Sequence, residues 1–283
     1  MIIFKKAADI HKFLTNKMEE NQSIGFVPTM GALHAGHISL IYKSKTANSL
    51  TVCSIFVNPT QFNNPLDFEK YPITIEQDIA MLEEAGCDVL FLPSTDEIYP
   101  TDFVKISYDL GYLESILEGK YRPGHFQGVC MVVERLLRII PCNTLYLGQK
   151  DYQQCMVIEK MISLRNMEVD LEIAPTVRET DGLAMSSRNK RLSIEERENA
   201  SVIFNALMHM KSEITLQSNE KIVSEAHRMI TEKGFEVDYI ELTDCHLHPL
   251  ENTINSNGVV ALIAATVNSI RLIDNMTLIN PDK

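Results

Sequence analysis

The sequence has no apolar run long enough to cross a bilayer. Its longest, such as Val129 to Val133 and Val259 to Ala265, fall well short of the roughly 20 residues a spanning helix needs, so no membrane association is expected. A secretory leader is not expected either, because Met1 to Ala8 is a short apolar piece broken by Lys5 and Lys6, without a small-residue cleavage site. A cytoplasmic location is therefore expected. No Cys-x-x-Cys pair occurs among the six cysteines (Cys53, Cys87, Cys130, Cys142, Cys155, Cys245), which lie mostly inside apolar runs and read as reduced, buried thiols. Positive charge is scarce as well. A formal net charge of −12 repels polyanions at long range, which disfavours a protein that grips tRNA or DNA over a large surface. An anionic substrate must be met by a local basic cluster. Internal repeats and low-complexity tracts are also absent.

At 283 residues the chain exceeds what one hydrophobic core usually organises. Hydrophobic residues make up 45% and charged residues 23%, the balance of a folded globular protein with a sizeable core. In the first half, short β-rich apolar runs alternate with amphipathic stretches, the order of βαβ units on a parallel sheet. Strands are expected at Ile24 to Pro28, Leu50 to Val57, Val89 to Leu92, Thr144 to Leu147 and Val169 to Ile173. Helices are expected near 7–20, 37–47, 75–85, 126–140 and 151–165. The helix at 126–140 is apolar nearly all round, which predicts an interior position.

Near Pro175 the texture changes, because Arg178 to Arg191 is polar and charged and lacks the alternation of a strand. A boundary there gives one domain of residues 1–175 and another of 176–283. Beyond it, Ser193 and Glu196 form a capping box that opens a helix of roughly four turns. A second helix near 219–233 and strands near 236–243, 258–267 and 271–278 complete a small mixed α/β unit. The expected fold class is thus α/β, with a Rossmann-like parallel-sheet domain and a smaller C-terminal α/β domain.

The segment Phe26 to Leu40 runs from a strand through Thr29-Met30-Gly31-Ala32-Leu33-His34-Ala35-Gly36-His37 into a helix. A helix N-terminus presents unpaired amides and a partial positive charge, so phosphate is favoured there, and imidazole N–H groups add donors as charge develops. Gly36 lets backbone or nucleotide approach where a β-carbon would obstruct. Two histidines on an ordinary loop are the plainer alternative. A zinc site fits less well, since no third ligand lies at a comparably short spacing. A second segment, Asp181-Gly182-Leu183-Ala184-Met185-Ser186-Ser187-Arg188-Asn189, places two hydroxyls and a guanidinium in succession. Such a loop can wrap a triphosphate, Arg188 supplying fork geometry and permanent charge and the serines hydroxyl and backbone donors. Read alone, it fits a polar interdomain linker better. As a pair, the two segments resemble the ATP-binding signatures of the class I aminoacyl-tRNA synthetase and nucleotidyltransferase superfamily, the second without its usual first lysine.

Three further segments narrow the resemblance: Phe56-Val57-Asn58-Pro59-Thr60-Gln61-Phe62, Tyr121-Arg122-Pro123-Gly124-His125-Phe126-Gln127-Gly128-Val129, and Leu147-Gly148-Gln149-Lys150-Asp151-Tyr152-Gln153-Gln154. With them the chain resembles the pantoate–β-alanine ligase family along nearly its whole length. The resemblance implies an enzyme that condenses pantoate with β-alanine through pantoyl adenylate, releasing pyrophosphate and AMP, with ATP as co-substrate and Mg²⁺ on the phosphates. It implies catalytic roles for His34, His37, Lys150, Ser186, Ser187 and Arg188. It places ATP against Pro28, Thr29, Met30, Gly36, Gly148, Asp151, Val177 and Met185 as well. Met30, Asn58, Gln61, Gln154, Arg122 and His125 are implied to hold pantoate or β-alanine, and Asp78 a metal. A homodimer is implied, with the second domain acting as a lid.

The chemistry asks for these residue types on its own account. Bringing a carboxylate to the α-phosphorus of ATP forces anions together, so charge must be neutralised and the line of attack fixed. If the helix after Leu147 begins near Lys150, then Lys150 and Gln154 share a face. Gln61 and Gln154 are amides able to bond both carboxylate and hydroxyl, although either alone also reads as a solvated surface residue. Arg122 and His125 could equally form a structural ion pair or cap, and Asp78 an exposed helix acid. The sequence departs from the family at Ile73, where arginine is usual. A nucleotidyltransferase acting on a phosphorylated substrate is the nearest competing activity. A non-catalytic RNA-binding relative is opposed by the acidic balance. No Ser or Cys stands in a recognisable nucleophile motif.

Overall fold

The structure, a computed structural model, describes residues 1–62, 68–69, 71–250 and 258–281. The chain divides into two compact units. The first comprises Met1–Gln149 and Gln153–Pro175, the second Lys150–Tyr152 and Thr176–Lys283. The main segment of the second unit begins at Thr176, and the unit also takes in Lys150–Tyr152, the last two residues of the 149–151 turn and the first of the helix that follows.

The first unit is built on six parallel strands: β1 (Ile2–Phe4), β2 (Ile24–Thr29), β3 (Leu50–Ile55), β4 (Val89–Phe91), β5 (Thr144–Gly148) and β6 (Asp170–Ala174). Their spatial order is β1-β4-β3-β2-β5-β6, every neighbouring pair parallel. Five of these strands are the expected ones, shifted by a residue or two. β1 was not expected, because two lysines follow its three apolar residues; pairing with β4, in register Ile2 to Val89, makes it a strand. After β2 the chain works outward through β3 and β4, then returns to the other side of β2 with β5 and β6. The order therefore reverses between β2 and β5, the position at which open α/β sheets bind ligands beyond the carboxyl ends of their strands.

Helices Ala7–Glu19, Ala35–Ala47, Ile75–Glu84, His125–Ile139 and Tyr152–Leu164 follow the expected pattern. In the helix His125–Ile139 only Gln127, Arg135 and Arg138 escape burial, as the all-round apolar character required. It also buries Glu134, whose carboxylate accepts from Tyr108 at 2.7 Å, Arg138 at 2.6 Å and Arg165 at 2.9 Å.

The second unit contains three antiparallel strands in the order β7-β8-β9: β7 (Glu236–Thr243), β8 (Val259–Val267) and β9 (Ile270–Ile279). Ala206, Leu207 and Met210 of the helix Val202–Glu213, with Ile222, Ala226 and Ile230 of Asn219–Thr231, share one core with inward residues of these strands. The capping box at Ser193 and Glu196 is present in both directions. The helix it opens, however, is only Ile194–Asn199, and a two-residue turn separates it from Val202–Glu213. Ala200 is fully buried there.

Candidate active site

β2 and β5 lie side by side at the switch point, so the segments leaving their carboxyl ends start from neighbouring positions on the sheet. The loop after β2 is tightly held. The Thr29 hydroxyl donates to the Ser54 carbonyl at 2.8 Å and accepts the Gly31 amide at 3.2 Å. Gly31 and Ala32 both adopt left-handed backbone, φ +81° and +50°. That conformation suits glycine but strains alanine. The strain is offset by Asp78, 1% exposed, whose carboxylate accepts the amides of Ala32 at 2.9 Å and Leu33 at 2.8 Å and the Thr74 hydroxyl at 3.1 Å. Asp78 thus holds this loop, and its oxygens are occupied by backbone and Thr74 donors. Among the described residues no group of three or more His, Cys, Asp or Glu could hold a metal ion.

His34 caps the helix Ala35–Ala47, its Nδ1 accepting the Gly36 amide at 3.1 Å, while Nδ1 of His37 accepts the His34 amide at 3.3 Å. The rings sit with centroids 4.1 Å apart. An amide can only donate, so both Nδ1 atoms are unprotonated and each neutral ring carries its proton on Nε2. The reciprocal cap therefore fixes two Nε2–H donors at the positive end of a helix. Pro28 lies on β2 and Met30 directly beyond its end.

A second group surrounds Asn58, 1% exposed. Its Oδ1 accepts the Thr60 amide and the Thr60 and Tyr99 hydroxyls, while Nδ2 donates to Gln61 Oε1 at 3.2 Å and the Gly128 carbonyl at 3.1 Å. Burial pushes the Tyr99 phenol up to about 12, so it remains a donor at neutral pH. Gln61 Nε2 points at the Met30 sulfur, 2.8 Å away. Gly128 permits this packing, since a Cβ there would stand 2.4 Å from the Thr60 carbonyl oxygen.

His125 is 6% exposed. Arg122 can only donate to its Nε2, at 3.2 Å, so the Nδ1–H donates to the Gln61 carbonyl at 2.9 Å. Both residues therefore support the turn that carries Gln61. Gln153, next to the expected Gln154, is spent internally: it binds the carbonyls of Leu113 and Ile116 and the amide of Glu118. Gln154 itself is half-buried.

Apart from Gly148, the last residue of β5, the remaining expected residues belong to the second unit. Lys150 does not open a helix; it sits in the 3-10 turn Gln149–Asp151, after Gly148 closes β5, with its ammonium 3.7 Å from Asp151. The premise that placed it on one helical face with Gln154 does not hold. Val177 accepts the Met185 amide at 3.0 Å, and Arg178 bridges to Ala184, so residues 177–185 form a narrow hairpin. Ser186 then caps the 3-10 turn Ser187–Arg191 by accepting the Arg188 amide at 3.3 Å. Lys150, Ser186 and Arg188 line one cavity, together with Asp274.

The sequence reading overlooked Arg178, Asp274 and Asn275. The signal for Asp274 and Asn275 was two successive polar residues within the strand Ile270–Ile279. Cys87 is pushed up to about 11, and Cys130 and Cys142 to about 12, all by burial, so none of the three is a thiolate nucleophile at neutral pH.

The sequence model of the family described as Pantoate-beta-alanine ligase matches residues 2–277. The pantothenate synthetase of Cytophaga hutchinsonii is 43% identical, covering 99% of this chain and 100% of its own length. That of Aquifex aeolicus is 44% identical, covering 97% and 98%. Among solved structures, the pantothenate synthetase of Thermus thermophilus superposes with a TM-score of 0.89 at 38% identity, covering 99% of this chain and 100% of that one. The pantoate-beta-alanine ligase of Francisella tularensis, complexed with beta-gamma ATP and beta-alanine, gives a TM-score of 0.82 at 40% identity, covering 98% of each.

Proposed function

The chain belongs to the pantoate–β-alanine ligase family, and we propose that it joins pantoate to β-alanine in two steps through pantoyl adenylate. In the first step a carboxylate oxygen of pantoate attacks the α-phosphorus of ATP, the bond to the β-phosphate oxygen breaks, and pyrophosphate leaves. In the second, the neutral amine of β-alanine attacks the acyl carbon, the carbon–oxygen bond to AMP breaks, the nitrogen loses a proton, and AMP leaves.

What supports the reading is the reciprocal histidine cap after β2. It fixes two Nε2–H donors at the N-terminus of the helix Ala35–Ala47 and at a sheet switch point, with no reorganisation needed as charge builds on phosphate. In this reading Lys150, Ser186, Ser187 and Arg188 neutralise the same triphosphate, with Gly148, Asp151, Val177 and Met185 beside them. Asn58, Gln61, Met30 and Gln154 receive pantoate. Mg²⁺ enters on the ATP phosphates as part of the substrate, and no step passes through a metal held by the protein.

The test mixes enzyme, Mg·ATP, pantoate and β-alanine, then omits pantoate or β-alanine in turn while following AMP, ADP and pyrophosphate. Pyrophosphate should require pantoate, and AMP in quantity should require both. ADP in place of AMP would establish acyl-phosphate chemistry and remove the reading. A nucleotide retained on the product would point to nucleotidyl transfer.

A further inference from the structure

β9 breaks its own pattern at two successive positions. Ile270, Leu272 and Leu278 turn into the core of the second unit, so the two-residue period directs position 274 to that core as well. The residue there is an aspartate, 4% exposed, and its neighbour Asn275 is 2% exposed. Burying a carboxylate and an amide is unfavourable unless each is fully bonded, and apolar residues would fill the same space without that requirement.

Each is bonded to a segment that carries a phosphate-site residue. Asp274 accepts from both terminal nitrogens of Arg178, at 2.5 and 3.1 Å. Arg178 also donates to the carbonyls of Gly182 at 3.1 Å and Asn275 at 3.2 Å, and lies 4.8 Å from the centroid of the Phe204 ring. The base of the hairpin leading into Ser186–Arg188 is thereby pinned to β9. From the strand's other face, Asn275 Nδ2 donates to the Lys150 carbonyl at 2.9 Å, and two residues on, the Tyr152 hydroxyl donates to the Cys245 carbonyl at 2.9 Å. This is the physical reason that Lys150–Tyr152 group with the C-terminal unit. The anchor grips the Lys150 backbone, and the ammonium stands 3.7 Å from Asp151.

We infer that Asp274 and Asn275 are positioning residues of the ligase: Asn275 sets where Lys150 stands, and Asp274, through Arg178, sets where Ser186 to Arg188 stand. One strand thus fixes the spacing between the two sets of phosphate donors. The inference rests on the assignment of Lys150 and Arg188 to the triphosphate made above.

Two double-mutant cycles test it: Asn275→Leu with Lys150→Ala, and Asp274→Asn with Arg188→Ala. Each is read as kcat and KM for AMP release and as Kd for a non-hydrolysable ATP analogue, with melting temperatures alongside. Each positioning variant alone should lower kcat or weaken the analogue about tenfold and leave the KM for pantoate within about twofold. Beside its partner variant it should cost less than about threefold, because the group it positions is already gone. Equal cost in both backgrounds, or no cost alone, overturns the inference, since a purely structural role adds independently of the partner. Should Asn275→Leu not fold, Asn275→Ala removes the same donor without adding volume. Wild-type protein that binds the analogue but releases no AMP would refute the adenylation reading, while the Kd cycles would still decide the positioning.

Discussion

The loop after β2 and the hairpin at 177–185 present donors suited to phosphate, yet they are held by different physics. The first is fixed by uncharged local bonds and one buried carboxylate: His34 accepts the Gly36 amide, His37 accepts the His34 amide, and Asp78 takes two more. The second is fixed by a buried ion pair between Arg178 and Asp274. A cap fixes its histidines at the first turn of their own helix. An ion pair reaches across sequence, here from residue 178 to 274, and depends on both charges persisting. Rigidity in the first case is local, whereas in the second it is tertiary.

The contrast is sharpest at Arg178. Arg178→Met should destabilise by about 3–5 kcal/mol at neutral pH, because it leaves Asp274 buried without its partner. Burial already raises the Asp274 carboxyl above its ordinary value, against the pull of Arg178. A carboxyl raised in the folded state contributes most at pH below its unfolded value and loses that contribution as pH rises through the folded one. Removing Arg178 removes the lowering influence, so the deficit should shrink as pH falls from neutral. Denaturant titrations of wild type and variant at several pH values check this; a deficit that grows on acidification would contradict it.

In the first region, Asp78→Ala should cost about 3 kcal/mol, since it strips acceptors from two buried amides that hold a left-handed Ala32. Its melting temperature should fall by several degrees. Next come the histidines. Asn places an amide near Nδ1 and Gln places one near Nε2, so His34→Asn should keep the cap and lose about a hundredfold in adenylate formation, roughly 3 kcal/mol. His34→Gln should retain more activity but lose about 1 kcal/mol of stability with the cap. Equal activity in the two variants would show that the Nε2 position does not matter.

The smallest effect is at the hairpin tip. The Arg197 guanidinium beside Asp181 holds that carboxyl below its ordinary value. The pair stabilises above the unfolded carboxyl value and is lost as pH falls through the lowered folded one. Both ends are about a third exposed, at 32% and 37%, so Asp181→Asn should cost under about 1 kcal/mol at neutral pH and nothing in strong acid.

Most of the first unit was legible because its strands and helices carry their periods locally, and the strand–loop–helix context of His34 and His37 could be read in a dozen residues. β1 was not, since three apolar residues before two lysines acquire a strand only by pairing with β4. The residues the family resemblance assigned to substrate near 122–125 proved to be bonded to one another and to the Gln61 backbone, a relation between segments more than sixty residues apart. Asp78 was picked out for a metal, yet its partners are the amides of Ala32 and Leu33, which no spacing rule connects to residue 78.

The sequence by itself determined the fold class, the family and the two motifs, because period, turn chemistry and motif context are written in neighbouring residues. Only the tertiary structure decided how Lys150 and the hairpin before Ser186 are held: Asn275 anchors the Lys150 carbonyl, and Asp274 takes the guanidinium of Arg178. Those facts depend on hydrogen bonds whose partners meet only once the chain has folded, and a directional bond between distant residues leaves no periodic trace in the sequence.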